Sequence, residues 1–228
     1  MVRPTKKEQI ANLAEVIKDT AWKQIAETGA AALSLRAIAR ELKITAPAIY
    51  NYFLRRDDLV TALIVDAFRS LGQSQKQAIQ DLSTNNLHLQ MQALAEAYRN
   101  WAIRYPQRYH LIFGTPIPGY EAPAEITVPA AASSIGPLTE TLQACWAAKK
   151  LRVEDFAALT PMLGSMLENW SDYTGGLEIE VLYSALVIWS RLHGLVLLEI
   201  SHQFPSFITD PEEVFRRELA NLLQQYLK

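Results

Sequence analysis

Apolar residues recur every three or four positions along almost the whole of this 228-residue chain, and no segment settles into the alternation of a strand. Ile10, Leu13, Ala14, Ile17, Ala21 and Ile25 make the first such stripe, one face of a helix, and Gly29 offers a left-handed stop after it. Ser34 stands as an N-cap before Leu35, Ile38, Ala39 and Leu42. Thr45 takes the same place before a helix that runs only to about Tyr52, and Pro47 lies in its first turn, where a missing N–H does no harm. Asp57 and Asp58 then open a long helix reaching about Leu82, where negative charge suits the helix dipole. Further helices are expected over 87–104, 106–113, 131–149, 153–173, 179–203 and 211–227, with Pro161 kinking the one over 153–173. Pro116, Pro118, Pro123 and Pro129 make 114–129 irregular, and Gly175-Gly176, Pro205 and Asp210-Pro211 mark later breaks. The expected fold class is all-α.

Half of the residues are apolar, enough for a sizeable core without covalent staples. Cys145 is the single cysteine, so no disulfide forms within the chain, which fits a reducing, cytoplasmic setting. The start, MVRPTKKEQ, is polar and does not read as a signal peptide. The most apolar stretch, Ala185 to Ile200, is interrupted by Arg191 and His193 and is shorter than the ~20 residues of a membrane span, so it reads as a buried helix and no membrane partner is expected. The net charge of −2 conceals a split: residues 1–60 hold ten Lys/Arg against seven Asp/Glu, whereas the rest is acidic. A basic head on an acidic body suggests that only the head meets a polyanion.

Three short helices followed by a long one occupy residues 7 to 80, and only Lys43-Ile44 separates the second from the third. So short a turn holds two helices at a steep angle, so that one lies in a DNA major groove while its neighbour braces it. Residues 33–64, LSLRAIARELKITAPAIYNYFLRRDDLVTALI, resemble the signature of the TetR family: the AIARELKI helix and turn, the AIYNYF recognition segment, and a basic residue before the fourth helix. Two positions depart from it. Arg56 stands where a lysine is usual, and Lys43 stands where the turn usually has glycine, which raises a φ > 0 question for a side chain with a Cβ.

The resemblance implies a DNA-binding domain over residues 1–55 and a ligand-sensing, dimerising domain over 56–228. The residue chemistry fits the first of these. Arg36 has the two donors that guanine O6 and N7 accept. Ala46 and Pro47 offer apolar surface to a thymine methyl, and Asn51 either reads adenine or contacts backbone. Tyr50 and Tyr52 have hydroxyls to donate to phosphate, Ser34 and Thr45 add hydroxyls and helix N-termini, and Arg56 supplies a cation at the edge of the footprint. Taken one at a time these residues have plainer readings: tyrosines at i, i+2 often just pack, and Ser34 and Thr45 are caps in any case. Ile38, Ala39, Leu42, Ile49 and Phe53 read as core.

In the second half, WSRLHGLVLLE (189–199) resembles the Trp-His-Gly signature of one TetR C-terminal subgroup, with Trp189 and His193 on one helix face and Gly194 allowing a close helix approach. Trp101, Tyr105, Met162, Met166, Trp170, Trp189 and His193 are the candidate lining of a cavity for a small apolar or aromatic effector; ordinary core is the competing reading for each. No cofactor and no metal is expected. Glu199-Ile-Ser-His202 matches half of a di-iron motif, but no second Glu-x-x-His accompanies it, and His88, His110, His193 and His202 have no zinc spacing with Cys145. No nucleophile elbow or phosphate-cradling glycine loop occurs, so the chain is not read as an enzyme. The expectation is therefore a three-helix helix-turn-helix domain plus a C-terminal helical bundle, acting as a homodimer on a double-stranded DNA operator, most simply as a repressor.

Overall fold

The computed structural model describes residues 6–83, 86–153 and 157–228, and side chains from Leu13 onward. The described residues form ten α-helices and one 3-10 turn, with no strand beyond an isolated bridge between Leu151 and Leu227. They fall into two compact units: one made of residues through Arg69 together with 105–131, the other of 70–104 and 132–228. We refer to these as the head and the body.

In the head, α1 (Lys6–Thr28) presents Ile17, Ala21, Trp22 and Ile25 inward, four residues from the predicted stripe or beside it. Gly29 takes φ 81° and ends it. α2 (Leu35–Glu41) starts at Ser34, whose hydroxyl accepts from Ala37 N. α3 (Ala46–Tyr50) follows after Lys43, which has φ 54°. α4 (Arg56–Ile79) runs on from the head into the body. α6 (Pro106–Phe113) packs on α1. The Lys18–Asp66 ion pair joins α1 to α4, with Glu15 of α1 on the same lysine, and Thr61 and Tyr120 share a 2.9 Å hydrogen bond between α4 and the segment after α6.

Three expectations change here. The proline-rich segment is irregular only to Pro123, because α7 (Ala124–Ala147) already includes Pro129 and Pro137. Pro123 O accepts from Ile126 N and Thr127 N, which starts the helix. Pro129 lies on an exposed side of α7. Pro161 makes no kink: it is the first residue of α8 (Pro161–Thr174), and Thr160 caps it by accepting from Leu163 N. Residues 157–160 are not helical, and 154–156 of the expected helix lie outside the described residues. Gly194 makes no close approach among the described residues, since a Cβ there would meet none of their atoms within 4 Å.

In the body, α5 (Leu87–Arg104), α9 (Ile179–Ile200) and α10 (Pro211–Tyr226) pack on one another, and α8 packs on α9. Gly72 marks the tightest crossing: a Cβ on it would come within 2.3 Å of Ser133 O on α7. Pro137 gives that carbonyl no i+4 N–H, and Gln75 Nε2 donates to the next carbonyl, Ser134 O, at 2.6 Å. α9 is long and apolar enough by composition to cross a membrane, but Val181, Leu182, Ala185, Ile188, Leu192 and Val196 are buried in the body, and Arg191 pairs with Glu218 and Gln225 of α10.

Candidate nucleic-acid interface and body cavity

The head's short helices are braced from beneath by apolar side chains. Leu35, Ile38 and Ala39 of α2 and Ile49 of α3 are buried, with Phe53 just after them. What remains outside is the set the sequence singled out. Arg36, Thr45, Ala46, Pro47 and Asn51 are exposed, and Ser34, Tyr50, Tyr52 and Arg56 are half-buried. Thr45 has the backbone angles of an N-cap but makes no side-chain cap hydrogen bond, so its hydroxyl is not committed to the helix end. Lys43 adopts the left-handed conformation that a glycine would take without strain.

Two cations follow α3 and differ in setting. Arg55 is 77% exposed in its side chain and bonds Asp58 through both its backbone N and its Nη2. Arg56, in the first turn of α4, has Nε and Nη2 buried without a hydrogen-bond partner. Buried atoms of this kind lack an acceptor inside the fold, and a phosphate reaches them only if the side chain turns outward. Further back, the Arg108 guanidinium lies over the rings of Trp22 (5.1 Å) and Tyr105 (4.7 Å), clamping α6 to α1.

The body holds a cavity of about 30 Å³. Its walls come from α4 (Gln75), α5 (Met91, Leu94), α7 (Leu138), α9 (Ile188, Trp189) and α10 (Leu222, Tyr226), among others. Of the seven residues expected to line a pocket, Trp189 alone is on this lining. His193 sits behind it, its ring 4.9 Å from that of Trp189 and its Nδ1 2.8 Å from the hydroxyl of Tyr98, a lining residue. Burial pushes the His193 pKa below its ordinary value. Trp101 is buried elsewhere on α5 and donates to Ser70 Oγ at 3.0 Å. Tyr105 belongs to the head. Met162 and Met166 are 71% and 55% exposed on α8, with Trp170 half-buried beside them.

Sequence reasoning missed Gln75 and the whole α10 wall, whereas Tyr98, in the aromatic run Tyr98, Trp101, Tyr105, Tyr109 and Phe113 that the spacing offers as possible lining, is on the cavity wall. One signal was present: Phe215, Leu219, Leu222, Leu223 and Tyr226 make an inward stripe at helical spacing. Glu199, from the isolated Glu-x-x-His segment, is engaged by Arg99 at 2.8 and 2.6 Å, and the same arginine reaches Glu212.

Comparison with known proteins bears on both units. A family model described as bacterial regulatory proteins of the tetR family matches residues 17–63, and one described as the tetracyclin repressor-like C-terminal domain matches residues 91–222. The HTH-type transcriptional regulator Mb1846 of Mycobacterium bovis is 33% identical over 194 residues, 85% of this chain and 83% of the relative. Rv1816 of Mycobacterium tuberculosis, also an HTH-type transcriptional regulator, matches to the same extent. The crystal structure of the regulatory protein SCO4313 superposes with a TM-score of 0.79 at 36% identity, covering 97% of this chain and all of that one. A structure of SmeT with triclosan shares the fold at 13% identity, with a TM-score of 0.66 over 94% of this chain and 91% of the other.

Proposed function

Because the chain belongs to the TetR family of bacterial transcriptional regulators, we propose that it is a ligand-responsive repressor that occupies a near-palindromic operator as a homodimer. On this reading residues 1–55 grip DNA, and residues 56–228 sense the effector and dimerise. The observation that carries it is the exposed row Thr45, Ala46, Pro47 and Asn51 on a helix braced by buried Ile49, with Arg36 exposed on the neighbouring helix. Arg36 reads guanine, Ala46 and Pro47 meet a thymine methyl, and Asn51 contacts adenine or backbone. Ser34, Thr45, Tyr50, Tyr52 and Arg56 hold phosphates and set the register.

A five-residue recognition helix buries too little for specific binding alone, so two copies act together. Support for the second copy comes from α8 and α9. Met162, Met166 and Tyr173 are exposed on the first; Leu186, Ser190 and Leu198 are exposed on the second, at fourfold spacing with Gly194, which has open space beside it. An apolar face with a small residue at its middle suits a close crossing with its own copy. The Trp189, His193 and Gly194 segment resembles that of the Trp-His-Gly subgroup, and on this reading the chain is assigned to that subgroup from this resemblance alone. A protein that reads chromosomal DNA works in the cytoplasm. The effector is a small apolar or aromatic molecule; triclosan bound to SmeT is an instance of such a ligand held by the same fold.

Selection of bound duplexes from a random pool should recover an inverted repeat, with binding that weakens as salt rises. Sedimentation should give twice the chain mass for the wild type and one chain mass for a folded Gly194→Leu. A wild-type monomer at micromolar concentration defeats the dimer, and a reporter gene that rises on operator occupancy turns repression into activation.

A further inference from the structure

We infer that α8 is completed by a second copy of the chain: its own body holds one side of the helix, and α8 becomes ordered only as the dimer forms. This rests on reading the chain as a homodimer and goes beyond it by making association and the folding of α8 a single step.

Of the fourteen residues of α8, only Leu167 is buried. At about 100° per residue, Leu163, Leu167 and Trp170 share one side of the helix. Met162, Met166 and Tyr173 fall within about 40° of one another on the adjoining side. These three are 71%, 55% and 54% exposed. Ser165, Glu168 and Asp172 take the remaining, polar side and are exposed too. The apolar arc of α8 is therefore wider than the part its own body covers. Helices of up to about 15 residues are marginal in water without packing. Gly164, Ser165, Asn169 and Asp172 are weak helix formers besides. The cap at Thr160 and the left-handed Gly175 fix where α8 begins and ends, but one buried leucine is little to set against the entropy of ordering four turns.

Two observations make the missing cover a second copy. Gly164 and Gly194 stand inside α8 and α9, where glycine is destabilising relative to alanine. Yet a Cβ on either would meet none of the described residues' atoms within 4 Å, so no contact among those residues calls for a glycine. A second backbone passing close by does. The charge on α9, against which α8 packs, points the same way. Arg191 is the one Lys, Arg, Asp or Glu from Leu186 to Leu198, and it is paired with Glu218 of α10. Across a two-fold axis each face meets its own copy, so any free charge there would meet a like one; this stretch of α9 has none to repel its partner.

The test is amide hydrogen exchange on the full chain, read for α8 and, as internal control, for α5, with sedimentation at the same concentration. In the wild type a dimer should protect both helices. Gly194→Leu, which puts a side chain where the copy would pass, should sediment as a monomer with α5 still protected and α8 exchanging at least about tenfold faster. Diluting the wild type through its dissociation gives the same readout without a substitution: α8 exchange should rise in step with the monomer fraction. A monomer whose α8 is as protected as in the dimer overturns the inference and leaves the dimer standing. Loss of α5 protection together with α8, in both the variant and the diluted wild type, overturns it as well, because the whole body would then need the partner. A wild type that stays monomeric at every concentration defeats the homodimer reading and this inference with it.

Discussion

The head carries its candidate functional side chains on the outside of helices of seven and five residues, all between Ser34 and Arg56. The body gathers its cavity from five helices, with contributors as distant in the chain as Gln75 and Leu227. In the head, the groups that would touch a ligand are mostly not the groups that hold the fold: Arg36 and Asn51 are exposed above buried Ile38 and Ile49. In the body the two sets coincide, since Leu219, Leu222 and Tyr226 are at once core and cavity wall. Binding and stability should therefore separate in the head and move together in the body.

The largest expected effect tests the body. Gly72→Ala puts a methyl 2.3 Å from a backbone carbonyl that no rotamer change can clear, and should remove about 3 kcal/mol or more of stability in urea unfolding. A loss under about 1 kcal/mol would mean that α4 and α7 cross less tightly than described.

In the head, Arg36→Ala should weaken operator binding by about 1–3 kcal/mol per base contact while leaving unfolding within about 0.5 kcal/mol of wild type. Arg56→Ala should weaken all duplexes alike and lower the salt slope by about 2 per dimer. Its enclosed Nε and Nη2 make it the place where the separation breaks, because removing a half-buried side chain with unpartnered polar atoms also changes stability. Unchanged sequence preference in Arg36→Ala would remove it from the base-reading set.

The next effect is pH dependence in the body. His193 has a folded pKa below its unfolded value, so the unfolded chain takes up the proton first as pH falls. Its contribution is fully present above about pH 6.5 and is lost as pH drops toward the folded pKa, by at most about 1.4 kcal/mol per pH unit. Urea unfolding of His193→Gln should be flatter than wild type between pH 7 and 5.5, and parallel curves would refute the assignment.

The smallest effect is in the head's turn. Lys43→Gly relieves a left-handed residue at φ 54° but loosens the unfolded chain, for a net gain of up to about 1 kcal/mol. A destabilised variant would show that the lysine side chain contributes more than its backbone conformation costs.

The sequence alone determined the all-α class, most helix positions and the head's candidate reading surface. Each of these depends on residues within one or two turns: Ser34 as cap, the stripe Leu35-Ile38-Ala39, the two-residue turn after Leu42. Even the glycine-like conformation at Lys43 follows from that local geometry. Proline placement was legible only in part: Pro161 stands at the first position of α8, where its missing N–H costs nothing, whereas Pro129 lies inside α7 and leaves a carbonyl without its helical donor, and local spacing does not tell the two apart. Tertiary structure alone decided the cavity. Met162 and Met166 have the right chemistry and face outward, whereas Gln75, Tyr98 and Leu222 meet because α4, α5 and α10 pack together. Helical periodicity tells which side of a helix is apolar; it does not tell whether that side meets a cavity, a core or a second copy of the chain.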